Sequence, residues 1–288
     1  MRVDIAARIA ENLAAVQGRI AEAAVRAGRS PGDVRLVAVT KYVGPDEIEA
    51  LLAAGCRDLG ESRPQQLWQR AELFRTTAGA PVHWHLIGHL QTNKVRRTLP
   101  AVDLIHSVDS LHLAQTIDAE AARLGRPARV LIEVNIAREN SKHGFPPEAV
   151  EQVVPQLLAL PHLRIEGLMG MGSLGGGPEA NRAEFAALRQ LRDRLRQRFA
   201  APPQASADRS AAHAVDQSVA HPADQSADQS ADRLADRCAG NELSGEPSVR
   251  GPFAELSMGM SDDFPIAIEE GATIVRVGSA LFEGLPAV

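Results

Sequence analysis

The sequence predicts an α/β protein, a (β/α)8 TIM barrel with an extra N-terminal helix and a disordered insertion before strand 7. Three observations carry that prediction. Short apolar runs alternate with amphipathic helical stretches eight times along the chain. The runs are apolar on both faces, as parallel strands covered by helices must be. With the low-complexity stretch 201–251 set aside, roughly 235 residues remain, close to the usual size of such a barrel. A doubly wound open sheet is the runner-up. It usually carries a glycine-rich phosphate fingerprint after its first strand, and Lys41-Tyr42-Val43 stands there instead.

The elements follow in order. Ile5, Ile9, Leu13, Val16 and Ile20 fall at helical spacing and predict an amphipathic helix ending near Gly28. Leu36 to Val39 is a buried first strand, and Pro45 opens the next helix. Arg57 to Ser62 is a weak second strand, followed by a helix from Pro64. Trp84 to Leu90, Leu104 to Val108, Val130 to Asn135 and Ile165 to Met171 are strands three to six. Helices separate them, the last a long charged one from Pro178 to Phe199. Glu255 begins strand seven, and Thr273 to Gly278 is strand eight.

Residues 1–288 are read as one barrel domain, with 201–251 inserted in it. The insertion is built from Ala, Asp, Ser, Gln and Arg, and the tetrad Ala-Asp-Gln-Ser repeats at Ala223 and Ala227. So few large apolar residues cannot offset ordering entropy, so disorder is expected, with a partner-binding tail as the alternative. Its position between a helix and the next strand puts it on the barrel's N-terminal face, away from the chemistry.

Composition excludes several function classes. A net charge of −5 gives no nucleic-acid footprint. No apolar stretch approaches a membrane span, and the N-terminus lacks a signal-peptide core, so a cytoplasmic protein is expected. The two cysteines, Cys56 and Cys238, form no disulfide framework or metal-ligand spacing, and no metal is expected.

In a barrel the strand ends converge on one pocket. They carry Lys41, Ser62, His89, Asn135, Met169 to Gly172, Ser257 to Ser261 and Arg276 to Ser279. Lys41 is one of only three lysines among 31 Lys+Arg, the others being Lys94 and Lys142. Where surface charge has gone to arginine, a retained lysine suggests a need for an amine, since arginine cannot form an imine. The plain alternative is a strand-end lysine reaching to solvent. Ser257, Ser261, Gly278 and Ser279 follow strands seven and eight, where barrels commonly bind phosphate. Simple helix capping would also account for Ser261-Asp262-Asp263. Alternation in Val275-Arg276-Val277 turns Arg276 into the barrel. Its bland reading is a structural salt bridge with Glu133 or Glu166. A lysine, a phosphate cup and an inward arginine together suggest pyridoxal 5′-phosphate (PLP), whose pyridine nitrogen an arginine can partner.

The motifs V-A-V-T-K (37–41), H-L-I-G-H-L-Q-T-N-K (85–94), N-I-A-R-E-N-S-K-H-G (135–144), G-L-M-G-M (167–171), L-S-M-G-M-S-D-D-F (256–264) and V-R-V-G-S-A (275–280) cover nearly the whole chain outside the insertion. Together they resemble the pyridoxal-phosphate homeostasis proteins, single-domain PLP-binding barrels related to the N-terminal domain of alanine racemase. The resemblance implies an aldimine at Lys41, phosphate contacts from Ser261, Gly278 and Ser279, and Arg276 near the pyridine nitrogen. The family usually reads G-E-N where this chain has Gly60-Glu61-Ser62. A hydroxyl thus replaces an amide at Ser62.

Three functions compete. The first is a carrier or buffer that holds PLP without turnover and hands it to PLP-dependent apoenzymes, acting as a monomer. The second is an amino-acid racemase, which needs a second base opposite the lysine. The single tyrosine, Tyr42, is expected on the opposite pleat from Lys41, which speaks against it. The third is a Schiff-base aldolase, which would not need Arg276 inside the barrel. The carrier is the reading adopted.

Overall fold

The computed structural model describes residues 4–75, 80–139, 142–173, 175–199 and 251–286. The insertion expected at 201–251 lies outside the described residues apart from Gly251. Eight parallel strands close into a barrel in sequence order: β1 (Arg35–Val39), β2 (Asp58–Glu61), β3 (His83–Leu86), β4 (Leu104–Val108), β5 (Ala128–Val134), β6 (Leu163–Gly170), β7 (Glu255–Ser257) and β8 (Ile274–Val277). The last strand pairs with the first, Arg276 in register with Val37.

Helices return the chain outside the barrel: α1 (Ile5–Arg26), α2 (Pro45–Ala53), α3 (Pro64–Leu73), the single-turn α4 (Val95–Thr98), α5 (Leu111–Leu124), α6 (Pro147–Leu158), α7 (Gly177–Phe199) and α8 (Phe264–Glu269). Local chemistry sets their ends. Pro45 preorganises the first turn of α2, while Glu47 reaches back to accept from the Gly44 amide at 2.9 Å. Ser110 caps α5 by accepting from the Leu113 amide, and Gly125, at φ +66°, supplies the left-handed residue that ends it. The extra helix α1 buries Ile9, Leu13, Val16 and Ile20, at the predicted spacing, and packs against α2 and α8. It thereby covers the seam where β8 meets β1.

Side chains separate by pleat. Val275 and Val277 join the large apolar layer between strands and helices. Val37, Leu104, Leu131, Met169 and Ile274 form a small plug inside the barrel. At about 25 cal/mol per Å² of buried apolar surface, the outer layer supplies most of the driving force. The rest of the interior is polar. His85, His106, Glu133, Ser257 and Arg276 are all buried. A polar interior is costly unless its groups satisfy one another or a ligand. Among the described residues, no helix is long and apolar enough to cross a membrane.

Candidate cofactor site

The strand ends bring the candidate residues to the C-terminal rim. β1 stops at Val39, so Thr40 is buried and a turn follows in which Lys41 is half-buried and Tyr42 exposed. The pleat argument used to separate Tyr42 from Lys41 therefore fails, because neither residue is in a strand. The Lys41 Nζ lies 4.8 Å from the centre of the Tyr42 ring. Among the described residues it makes no salt bridge, so nothing anionic holds the amine away from a carbonyl.

That turn is clamped from outside by residues the sequence reading did not select. The Arg70 guanidinium on α3 donates to the carbonyl oxygens of Thr40 (2.6 Å) and Val43 and pairs with Glu61. Glu61, completely buried at the end of β2, also accepts from the Thr40 hydroxyl. Burial raises the Glu61 carboxyl above the ordinary range, against the pull of Thr40 and Arg70. The clamp joins β1, β2 and α3 around the backbone of Lys41.

Across the rim, Ser261 Oγ accepts from the amides of Gly278 (3.2 Å) and Ala280 (3.5 Å). Two amides converging on one hydroxyl oxygen form a donor pair at the start of a 3-10 turn, Ser279–Leu281. Such a pair can serve a phosphate oxygen equally well. Gly278 packs on β1, where an added Cβ would sit 3.4 Å from the Val39 carbonyl oxygen, so this donor pair adjoins the strand leading to Lys41. Gly259, at φ +91°, lets the β7–α8 turn close. A Cβ there would meet Ala267 at 2.6 Å.

Arg276 points into the barrel, as the alternation predicts, and is 4 % exposed. Neither expected salt bridge forms. Glu166 pairs instead with Arg129 at 2.7 Å and Arg164 at 3.2 Å. Glu133 stands near enough to act on Arg276 through its charge without a hydrogen bond between them. The guanidinium donates to Ser257 Oγ (2.6 Å) and to the Gly170 carbonyl (3.1 Å). Burial pulls it down to about 10, with Asp263 and Glu133 opposing, so it stays charged at neutral pH. Burial and the charge of Asp109 push Glu133 up to about 7, with Arg276 pulling it down.

Ser257 therefore belongs to the arginine rather than to the Ser261 donor pair. Its hydroxyl also meets His106 Nδ1 at 2.8 Å, and from there a chain crosses the barrel. His106 Nε2 lies 2.9 Å from His85 Nδ1, and His85 Nε2 lies 3.0 Å from Asp58 Oδ1. Burial holds His106 neutral, its value well below the usual one. Burial pushes Asp58 up, but the His85 hydrogen bond and charge, with Arg35, hold it below the carboxylate norm. With His85 neutral, each proton points one way: Ser257 to His106, His106 to His85, His85 to Asp58. No sequence signal announced this network, since its members come from β2, β3, β4 and β7.

The remaining candidates stand at the rim without a hydrogen bond to Lys41 or Arg276 among the described residues. The Asn135 amide donates to the Glu139 carbonyl at 2.9 Å, and its buried Oδ1 has no partner. Ser62 is half-buried, pressed against Gly88, where a Cβ would fall 2.2 Å from the Ser62 carbonyl oxygen. Ser279 is exposed. Lys142, a possible second base, is tied to the Gly172 carbonyl and the Glu139 carboxylate, both at 2.9 Å.

The residues fit a phosphorylated aldehyde with a ring nitrogen. They provide an unpaired amine, an anion donor pair and a buried cation with no carboxylate in hydrogen-bond contact.

Comparison with known proteins agrees. The family profile described as alanine racemase, N-terminal domain, matches residues 11–224. The chain is 34 % identical to the pyridoxal phosphate homeostasis protein of Aquifex aeolicus, over 94 % of this chain and 96 % of that one. It is 34 % identical to the protein of that name from Pseudomonas aeruginosa, over 95 % and 94 %. The solved structure of PipY from Synechococcus elongatus with PLP bound superposes with a TM-score of 0.68 at 30 % identity, covering 95 % of this chain and 99 % of that one.

Proposed function

This chain belongs to the pyridoxal phosphate homeostasis protein family, and we propose that it binds PLP as a carrier or buffer, holding it covalently through Lys41. PLP supplies an aldehyde that condenses with an amine and a pyridine ring that can draw off electrons. Everything else is the work of the chain. Lys41 Nζ provides the amine, held at the rim by the Arg70–Glu61 clamp on its turn. The Gly278 and Ala280 amides, with the hydroxyls of Ser261 and Ser279, receive the phosphate. Ser62 and Asn135 line the rim beside the ring, where the unpartnered Asn135 Oδ1 can accept a donor. Arg276, positioned by Ser257, would meet the pyridine nitrogen as a donor and a fixed positive charge, which would hold that nitrogen unprotonated and weaken the ring as an electron sink. The observation that carries this reading is the buried Arg276 cation without a carboxylate in contact, on the strand paired with β1.

The reading extends to a lack of turnover, a cytoplasmic monomer, and delivery of PLP to apoenzymes. A racemase-like activity is the alternative, and one observation favours it: Glu133, at about 7, can exchange a proton at neutral pH. The charges that act on it, however, are Asp109 and Arg276, and Lys41 is not among them. Two experiments test the proposal. Borohydride reduction followed by mass spectrometry is expected to place the adduct on Lys41 and none on Lys41→Ala. An adduct on Lys94 or Lys142 overturns the assignment. Incubation with alanine and serine in heavy water is expected to give negligible α-deuteration. Exchange at about 1 to 1000 per second, an ordinary enzyme rate, overturns the carrier reading.

A further inference from the structure

The loops after β3, β4 and β5 bring together three side chains that the PLP reading does not use. His89 Nδ1 lies 3.0 Å from Asp109 Oδ2, and His143 Nδ1 lies 3.7 Å from the same oxygen. One ligand-type atom from each residue can be chosen so that all three lie within 4.8 Å of one another. The two imidazoles stack at 4.3 Å between centres, 15° apart in plane. Asp109 is only 11 % exposed at its side chain, and among the described residues no lysine or arginine pairs with it. A nearly buried carboxylate is thus met by two imidazoles alone, both presenting Nδ1 to one oxygen.

We propose that His89, Asp109 and His143 form a binding site for a divalent transition metal of the zinc class, on the rim of the barrel beside the PLP pocket. Zinc holds nitrogen and carboxylate oxygen at about 2.0–2.2 Å, which at tetrahedral angles sets ligand atoms about 3.3–3.6 Å apart. The two measured separations, 3.0 and 3.7 Å, bracket that range. The third pair would have to close by rotation of the imidazoles, which are 41 % and 59 % exposed. Imidazole ligands select zinc, nickel or cobalt over magnesium and calcium, which take oxygen. Three protein ligands leave at least one position open, the pattern of sites that exchange a bound water or ligand rather than of closed structural sites. The rim position makes a small carboxylate or amine the fitting fourth ligand. Sequence spacing does not reveal the trio, because its members lie 20 and 34 residues apart on three different loops.

The test is calorimetric titration of the full-length, PLP-loaded protein with zinc chloride, beside His89→Ala, His143→Ala and Asp109→Asn. One zinc per chain is expected, with affinity falling at least tenfold in each variant while the visible absorbance of bound PLP is retained. Lys41→Ala is expected to bind zinc unchanged, which separates this site from the PLP reading. The unsubstituted protein titrated with magnesium chloride should show no site, and magnesium binding that the three substitutions abolish would overturn the zinc-class assignment. Absence of zinc binding overturns the proposal. So does zinc binding of equal affinity in His89→Ala and His143→Ala, which would place the metal elsewhere on the chain.

Discussion

Replacing Glu133 by Gln should make the protein more stable, by an amount that grows with pH. The carboxyl is 4 % exposed, lies inside the barrel and has been pushed from an ordinary 4.5 to about 7 by burial and by Asp109. Its folded-state value lies above its unfolded one. The protonated form is therefore the one the fold tolerates, and stability is lost as pH rises through about 7. At about 1.36 kcal/mol per pH unit, the full penalty in alkaline solution is about 3 kcal/mol. Most of it develops inside the practical range: between pH 5 and pH 8 the linkage relation gives about 2.5 kcal/mol. Gln has nearly the same shape and does not titrate, so it escapes the penalty. The assay is urea denaturation of both proteins, freed of cofactor, at half-unit steps from pH 5 to pH 8. The difference between their unfolding free energies should widen from pH 5 to about 7 and then level off. A difference that stays constant, or that narrows, would show that Glu133 is solvated or paired in the folded protein and would refute the reasoning.

Three further predictions follow from packing and satisfaction of polar groups. Arg70→Met leaves the buried Glu61 unpaired and the Thr40 and Val43 carbonyls without their donor, a loss of about 3–5 kcal/mol. Its melting temperature should drop by roughly 10 °C, at about 2–4 °C per kcal/mol, and adding Glu61→Gln should recover part of the drop. If the single variant melts like the parent, the clamp contributes nothing. Ser257→Ala strands a buried guanidinium N–H and the His106 imidazole, which should cost about 1–3 kcal/mol in chemical denaturation. An unchanged midpoint would mean that other groups satisfy both. Gly88→Ala drives a methyl to 2.2 Å from the Ser62 carbonyl oxygen, a clash only backbone movement can relieve. It should cost about 1–3 kcal/mol and weaken PLP binding measured by fluorescence quenching, whereas parental affinity and stability would show that the β2 end moves freely.

Much of this was legible in the sequence. The strand runs, the Pro45 and Pro64 helix starts and the α1 stripe are local signals, set by side-chain size, period and capping chemistry, and the structure keeps them within a few residues. The rim positions of Lys41, Ser261 and Gly278 and the place of Arg276 on its strand were legible for a related reason. A barrel fixes where each strand must end, so position along a run tells which face a residue meets. Even the inward direction of Arg276 follows from the pleat.

What the tertiary structure decided is which polar groups face one another across strands that never meet in sequence. Arg276 could have paired with Glu133 or Glu166. The barrel gave Glu166 to Arg129 and Arg164, and gave Arg276 to Ser257. The chain from Asp58 through His85 and His106 to Ser257 joins residues 21 to 151 positions apart, and each of its single contacts is invisible to a periodicity argument. Tyr42 lies beside Lys41 because the strand ends at Val39 with its apolar run and does not continue as a pleat through Lys41 and Tyr42, where Arg70 claims the backbone carbonyls for the turn. Apolar patterning is read one residue at a time, since burial of a methyl group depends little on which neighbour covers it. Buried polar groups need a specific partner at hydrogen-bond distance, and only closure of the barrel selects that partner.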